Sequence, residues 1–177
     1  MTNNMMTLRN INPYVYLLVG VFIIGWSPIL IIWSESSGVI TSFYRVFIAT
    51  AVLFLPFYQK YRKIIMRDKF LILLTILAGV AYGLDNAFWA TGVNLAGPAN
   101  PTFLVNTAPI WVGLGAMLFF RENLGRQFWL GLVFALIGAA LILEVDLRQS
   151  IDSAIGSSYG LLGGLFYAIF FLIGQRV

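Results

Sequence analysis

The sequence predicts an all-α, polytopic membrane protein built as a bundle of six transmembrane helices. Of its 177 residues, 60% are hydrophobic and only 10% are charged, whereas about a quarter of the residues of a soluble domain are charged. The apolar residues lie in long runs, each near the roughly 20 residues that a helix needs to cross a bilayer. Because these runs are continuous rather than alternating, the sequence excludes a transmembrane β-barrel.

Six such runs follow one another along the chain. A buried helix of a soluble protein could explain one of them, but six in series would find too little polar surface to cover them. The first run is too long for the core of a signal peptide, so we interpret it as a retained helix. The predicted spans are residues 14–33, 38–58, 70–93, 101–120, 128–143 and 159–174.

The first connections carry local signals that agree with this division. Asn12 and Pro13 suit the cap and the first turn of the first helix. Residues 34–37 form a short polar turn between the first and second spans. Residues 59–69 are basic and separate the second span from the third.

The later connections are marked by turn residues and by charge. Gly97 and Pro98 predict a turn between the third and fourth spans. Gly125 lies in the polar segment before the fifth span. Residues 144–158 are predicted to form the longest and most acidic loop, and the sixth span follows it.

The distribution of charge predicts the orientation of the bundle. If residues 1–13 are cytoplasmic, nine of the 11 Lys and Arg residues lie in cytoplasmic segments, one lies outside and one lies within a span. Such a bias is the positive-inside signal. It predicts a cytoplasmic N-terminus and an extracytoplasmic position for residues 144–158. We expect the chain to lie in the plasma (inner) membrane. The basic residues, with a net charge of +4, therefore indicate topology rather than binding to nucleic acid.

Several kinds of chemistry lack the residues they need. The chain contains no Cys and no His, which removes thiolate nucleophiles, imidazole metal ligands and Ser–His–Asp triads. No GxxxxGK[ST] phosphate loop is present, and no pair of acids has the spacing of a glycosidase or metal site. We therefore expect neither an enzyme nor a bound cofactor or metal.

Two ionisable residues interrupt the apolar spans. Arg45 and Asp85 each lie about seven or eight residues from the outer end of their span, or roughly 10–12 Å deep at about 1.5 Å per residue. A lone charge at that depth costs several kcal/mol, so such residues usually face a wet cavity or each other. We expect Arg45 and Asp85 to lie close enough to influence one another, either as a structural ion pair or as a gate on a solute path.

Uncharged polar residues gather in the third and fourth spans. Their amide groups would be costly against lipid, so they should point inward, where they could either join helices by hydrogen bonds or line a pocket. Trp89 and Trp111 could supply flat apolar walls to such a pocket. The candidates for a substrate cavity are Trp26, Asp85, Asn86, Trp89, Asn106 and Trp111.

Proline and glycine predict bends and close packing. Pro28 and Pro109 lie inside spans, where each removes a backbone hydrogen bond, and we expect hinges or static kinks there. Gly160 and Gly164 lie four residues apart in the sixth span, a spacing that lets helices approach closely.

The fourth and fifth spans carry a recognisable combination of residues. Pro109 lies in the fourth span, Arg121 and Glu122 end it, and Gly131 and residues 138–140 lie in the fifth. This combination resembles the EamA-like, ten-helix branch of the drug/metabolite transporter superfamily, over about residues 14–143. The resemblance implies half of an inverted-repeat transporter fold, in which a solute binds near the middle of the membrane between two five-helix repeats.

The resemblance also implies a function and partners. It suggests an exporter of small metabolites or drugs that works by alternating access in the lipid bilayer. Residues 14–143 would form one repeat and residues 159–177 the first helix of a truncated second, so that a homodimer or a missing second half would complete the transporter. Glu122 is expected in an interfacial ion pair with Arg121 or Arg126. The alternative is a membrane scaffold or assembly subunit that transports nothing, whose polar residues would pack against neighbouring helices.

Overall fold

The computed structural model of the protein describes residues 12–65 and 69–176, and within them the chain is helical apart from short turns. The predicted N-terminal segment of residues 1–13 lies almost wholly outside the described residues, as does the middle of the basic connection. The helices are α1 Pro13–Gly25, α2 Ser27–Trp33, α3 Gly38–Ile65, α4 Lys69–Ala96, α5 Ala99–Val105, α6 Ala108–Phe120, α7 Arg126–Gln149 and α8 Ile151–Gly174.

These helices form six segments that are long and apolar enough to cross a membrane, which confirms the predicted fold class for the described residues. Two of the segments consist of a broken helix. The first segment joins α1 and α2. The fourth joins α5 and α6. The other four segments are single helices.

Both breaks lie just before a proline in the chain. The first helix breaks at Trp26, two residues before Pro28, and the fourth segment breaks at Asn106 and Thr107, before Pro109. Proline has no backbone N–H and its ring clashes with the carbonyl four residues earlier, so the preceding turn is released from the helix. Pro56 also lies inside a span, a residue that the sequence analysis did not single out, and α3 remains unbroken there.

The predicted loop over residues 144–158 is wrong as a description of the backbone. Helix α7 continues to Gln149 and α8 begins at Ile151, so only Ser150 separates them. The acidic residues that suggested a loop are accommodated within helices: Glu144 forms an ion pair with Arg148 one turn later, at 2.5 Å, and Asp146 is buried. The Ser150 side chain caps α8 by accepting a hydrogen bond from the Ser153 backbone N–H.

Helix α8 occupies the centre of the bundle. It packs against α4, α5, α6 and α7, while α3 packs on the other side of α4. Helix α1 contributes no buried residue and lies at the periphery. The sixth span, predicted from the sequence as the first helix of a second repeat, therefore organises the contacts of the spans before it.

Glycines permit this close packing at one end of the bundle. A methyl group built on Gly92 of α4 would lie 2.5 Å from the carbonyl oxygen of Gly156 in α8. One built on Gly160 would lie 2.7 Å from the Cα of Pro101 in α5. Because these neighbours are backbone atoms or a rigid ring, no side chain fits at these positions, and α4, α5 and α8 meet backbone to backbone.

Candidate functional site

Asp85 is a buried carboxylate at the interface between α4 and α8. Its side chain is 7% exposed. Gly163 of α8 makes the space for it, because a methyl group there would lie 3.3 Å from Asp85 Oδ1. Within residues 12–65 and 69–176 the Asp85 carboxylate has no hydrogen bond, and Arg148–Glu144 is the ion pair that the structure contains. A buried, unpaired carboxylate is expensive and marks a site where function rather than stability selects the residue.

Arg45 lies beside this carboxylate without contacting it. The predicted structural ion pair between the two side chains is not formed in the part of the chain that the structure describes. The Arg45 guanidinium instead lies 5.3 Å from the centroid of the Trp89 ring. The aromatic face offers the guanidinium a partner in an apolar setting, which accounts for this arrangement.

Trp89 and Asn86 are held by hydrogen bonds between and within helices. Trp89 Nε1 donates to Thr102 Oγ1 at 3.0 Å and so links α4 to α5. Asn86 is buried, and its Nδ2 donates to the Tyr82 carbonyl at 2.9 Å. The backbone carbonyl oxygen of Asn86 accepts from Ser42 Oγ at 2.7 Å, which ties α4 to α3. The Asn86 side chain itself therefore bonds within α4, and the Ser42 side chain makes the link between the two helices.

One cavity lies among α6, α7 and α8, and we call it the α6–α8 cavity. Its volume is about 530 Å³, which is large enough for a small organic solute.

The walls of the α6–α8 cavity are mostly apolar and aromatic, with a few polar groups. Asn106, at the helix break, is one of the lining residues, and its Nδ2 donates to the Thr102 carbonyl at 2.7 Å. Glu122 lies among the lining residues near the start of α7. Among the described residues Glu122 forms no ion pair with Arg121 or Arg126, so that expectation is wrong. The left-handed backbone of Arg121, with φ of 55°, ends α6 and turns the chain before Glu122.

The second cavity lies between α3 and α4, and we call it the α3–α4 cavity. Its volume is about 640 Å³, and Arg45, Thr50 and Tyr82 are among the residues that line it. Tyr167 lines the α6–α8 cavity and lies one turn after Gly163, the residue that leaves space for Asp85. Asp85 itself lines neither cavity, but Tyr82, one turn before it in α4, lines the α3–α4 cavity.

The two remaining candidates, Trp26 and Trp111, lie apart from the group formed by Arg45, Asp85 and Trp89. Trp26 lies at the break in the first span, is 44% exposed and contacts the Phe22 ring edge-on at 6.3 Å. Trp111 is half-buried in α6, and its Nε1 is a buried donor with no hydrogen-bond partner among the described residues. Neither tryptophan lines either of the two cavities. The structure thus brings Arg45, Asp85 and Trp89 together and leaves Trp26 and Trp111 apart.

A buried polar group that was not predicted from the sequence lies near the end of α7, opposite the end that follows Glu122. Asp146 is 1% exposed and accepts a hydrogen bond from Asn100 Nδ2 at 2.8 Å and another from Ser157 Oγ. The sequence carries a signal for this group, because Asp146 closely follows the apolar run of the fifth span. Its charge, together with that of Glu144 and Asp152, favours the prediction of a loop instead.

Comparison with known proteins gives the family. The model of the EamA-like transporter family matches residues 11–144, about three quarters of the chain. No curated protein and no solved structure matches the chain. The chain belongs to the EamA-like transporter family, and its six apolar segments make it a multi-pass membrane protein of the lipid bilayer. Helix α8 lies outside the matched residues.

Proposed function

We propose that the protein carries a small organic solute across the plasma (inner) membrane by alternating access, with Asp85 as the charged group on the path. The observation that carries this proposal is the buried Asp85 carboxylate, which lacks a hydrogen bond among the described residues and lies one helical turn from Tyr82, a residue that lines the α3–α4 cavity. In a helix that only packs against its neighbours, such a group would cost stability without serving a function. Membership of a transporter family supports the same conclusion.

The α6–α8 cavity supports export as the direction. It lies beside Glu122 and Phe128, at the end of the bundle that the positive-inside signal assigns to the cytoplasm. A cavity open to the cytoplasm suits the loading of a solute that is then released outside. Its walls of aromatic and aliphatic side chains favour a solute with an apolar or aromatic surface.

The proposed solute path includes the remaining candidates in different roles. Asn106 would contact the solute inside the α6–α8 cavity, and Arg45 would act as a gate beside Asp85. Trp111 would need a rearrangement of α6 to reach the path, since its ring lies outside both cavities. A second five-helix repeat would complete the translocation path, as the resemblance to inverted-repeat transporters implies, and a second copy of the chain could supply it.

The test is the neutral, nearly isosteric variant Asp85→Asn in reconstituted vesicles. The probes are a panel of aromatic amino acids, aromatic amines and cationic dyes, with uptake and release followed for each. We expect at least one probe to be transported, and we expect D85N to lower its rate by about tenfold or more because the charge is lost while the shape is kept. The matched control is Asp152→Asn, an exposed acid in the first turn of α8.

Thermal unfolding in detergent shows whether each variant keeps its fold. Transport by D85N at the wild-type rate, with an unchanged melting temperature, would contradict the role of Asp85. The alternative is a membrane scaffold that transports nothing, and the observation that favours it is the buried, hydrogen-bonded side chain of Asn86. Failure of the folded wild-type protein to transport any of the probes would support this alternative.

A further inference from the structure

Three helices are joined by one buried polar cluster at the end of the bundle opposite Glu122. The Asp146 cluster consists of Asp146 in α7, Asn100 in α5 and Ser157 in α8. Asp146 is 1% exposed and Ser157 is fully buried. Both carboxylate oxygens are used, because Asn100 Nδ2 donates to Oδ1 at 2.8 Å and Ser157 Oγ donates to Oδ2. Charge-assisted hydrogen bonds of this kind are stronger than neutral ones, above all away from water.

Helix α5, which this cluster holds in place, is short and makes few other side-chain hydrogen bonds to neighbouring helices. Helix α5 has seven residues and ends at the break over Asn106 and Thr107. Its other side-chain tie to a neighbouring helix among the described residues is the bond from Trp89 to Thr102. A seven-residue helix has little stability of its own, so its position depends on such contacts.

The same end of the bundle is closed by direct packing. Pro101 of α5 lies against Gly92 of α4 and Gly160 of α8. Ala96 of α4 lies against Gly156 of α8. The opposite end, where Glu122 and Phe128 line the α6–α8 cavity, is open by contrast.

We infer that Asp146 is a positioning residue that holds α5 against α7 and α8 and so keeps this end of the bundle closed. Breaking the cluster releases α5 as a unit, since the break at Asn106 separates it from α6. The role of this closure in transport rests on the proposed function. The hydrogen bonds of the Asp146 cluster do not depend on that function, and their effect on α5 can be measured without any solute.

The test exchanges the two polar partners. In Asn100→Asp, two carboxylates face each other across the distance of the present hydrogen bond, so they repel and α5 is released. In the double variant Asn100→Asp with Asp146→Asn, the amide of residue 146 donates to the carboxylate of residue 100, which restores the bond. Ser157→Ala, which removes one donor, is the milder single variant. Glu144→Gln, which breaks only the exposed pair with Arg148, is the control.

Hydrogen–deuterium exchange of the full chain in detergent gives the first measurement. We expect N100D to speed exchange over residues 99–105 by about tenfold or more, with residues 126–138 unchanged. S157A should give a smaller increase in the same segment, and the double variant and E144Q should match the wild type. Acceleration over the whole chain, no acceleration, or a double variant as fast as N100D would overturn the inference.

Labelling from one side of the membrane gives the second measurement. The chain contains no Cys, so Val105→Cys supplies a unique thiol on the half-buried side of α5 and leaves the bond from Trp89 to Thr102 intact. In sealed vesicles with the Ser150 end outward, a membrane-impermeant maleimide should label this thiol faster when N100D is added, and at the original rate in the double variant. Equal labelling in all three backgrounds would show that the cluster does not close this end. This result is independent of whether any probe is transported.

Discussion

Trp89 connects three parts of the candidate site through a single side chain. Its ring faces the Arg45 guanidinium, and its Nε1 donates to Thr102. Arg45 gains an aromatic partner and Thr102 gains a donor from another helix. The ring therefore sets where the cation lies relative to Asp85 and also fixes the distance between α4 and α5.

The hydrogen bond between Trp89 and Thr102 can be measured with a double-mutant cycle. Trp89→Phe keeps an aromatic ring but removes the donor, and Thr102→Val removes the acceptor. We expect each single variant to lower the free energy of unfolding in detergent by about 1 kcal/mol. The double variant should lower it by less than the sum of the two single effects, because both substitutions remove the same hydrogen bond.

The control for this cycle is Trp33→Phe, since Trp33 is 68% exposed. It should change the free energy of unfolding by no more than about 0.5 kcal/mol. Strict additivity of the two site variants would show that the hydrogen bond does not couple α4 to α5.

At the scale of the helices, the packing of α8 depends on residues without side chains. Gly160 allows the backbone of α5 to lie against α8, and Gly163 leaves space for the Asp85 carboxylate. A helix with larger residues at these positions would be held away from both neighbours.

Gly160→Ala tests this packing. The added methyl group would lie 2.7 Å from Pro101 Cα, so we expect a loss of about 1–3 kcal/mol in the free energy of unfolding. Gly138→Ala in α7 is the matched control, because nothing lies within 4 Å of a methyl group there. Thermal unfolding of both variants in one detergent makes the comparison, and equal melting temperatures would contradict the proposed contact.

Pro109→Ala tests whether the break in the fourth span serves transport. Alanine restores a backbone N–H and favours a continuous helix through Asn106. We expect the transport rate to fall by roughly tenfold because the bend is lost, with the melting temperature maintained. Pro56→Ala, inside the unbroken α3, is the control and should transport at the wild-type rate. A P109A rate equal to that of P56A would remove the hinge from the mechanism.

At the scale of the whole molecule, the distribution of Lys and Arg predicts which ends of the helices face the cytoplasm. Asp152→Cys and Gln127→Cys place unique thiols at opposite ends of the bundle, since the natural chain has no Cys. We expect an impermeant maleimide to label D152C in intact cells and Q127C only after permeabilisation. The reverse pattern would overturn the predicted orientation.

Hydropathy was sufficient to predict the six spans, because a bilayer demands the same length of apolar helix whatever the neighbouring helices are. It could not predict the contacts of those spans. Asp146 was assigned to a loop by its charge, whereas its two hydrogen-bond donors come from residues 46 positions before it and 11 after it. The same limit applies to Arg45, whose partner proved to be the Trp89 ring rather than the Asp85 carboxylate.

The central position of α8 has a consequence for biosynthesis. Among the described helices α8 is the last to leave the ribosome, yet α4, α5, α6 and α7 all pack against it. Those four helices enter the membrane before their common neighbour exists, so Asp85 and Asp146 spend that interval without the helix that later buries them. A nascent chain arrested before α8 would expose two carboxylates within the lipid, the kind of defect that membrane quality-control proteases can recognise.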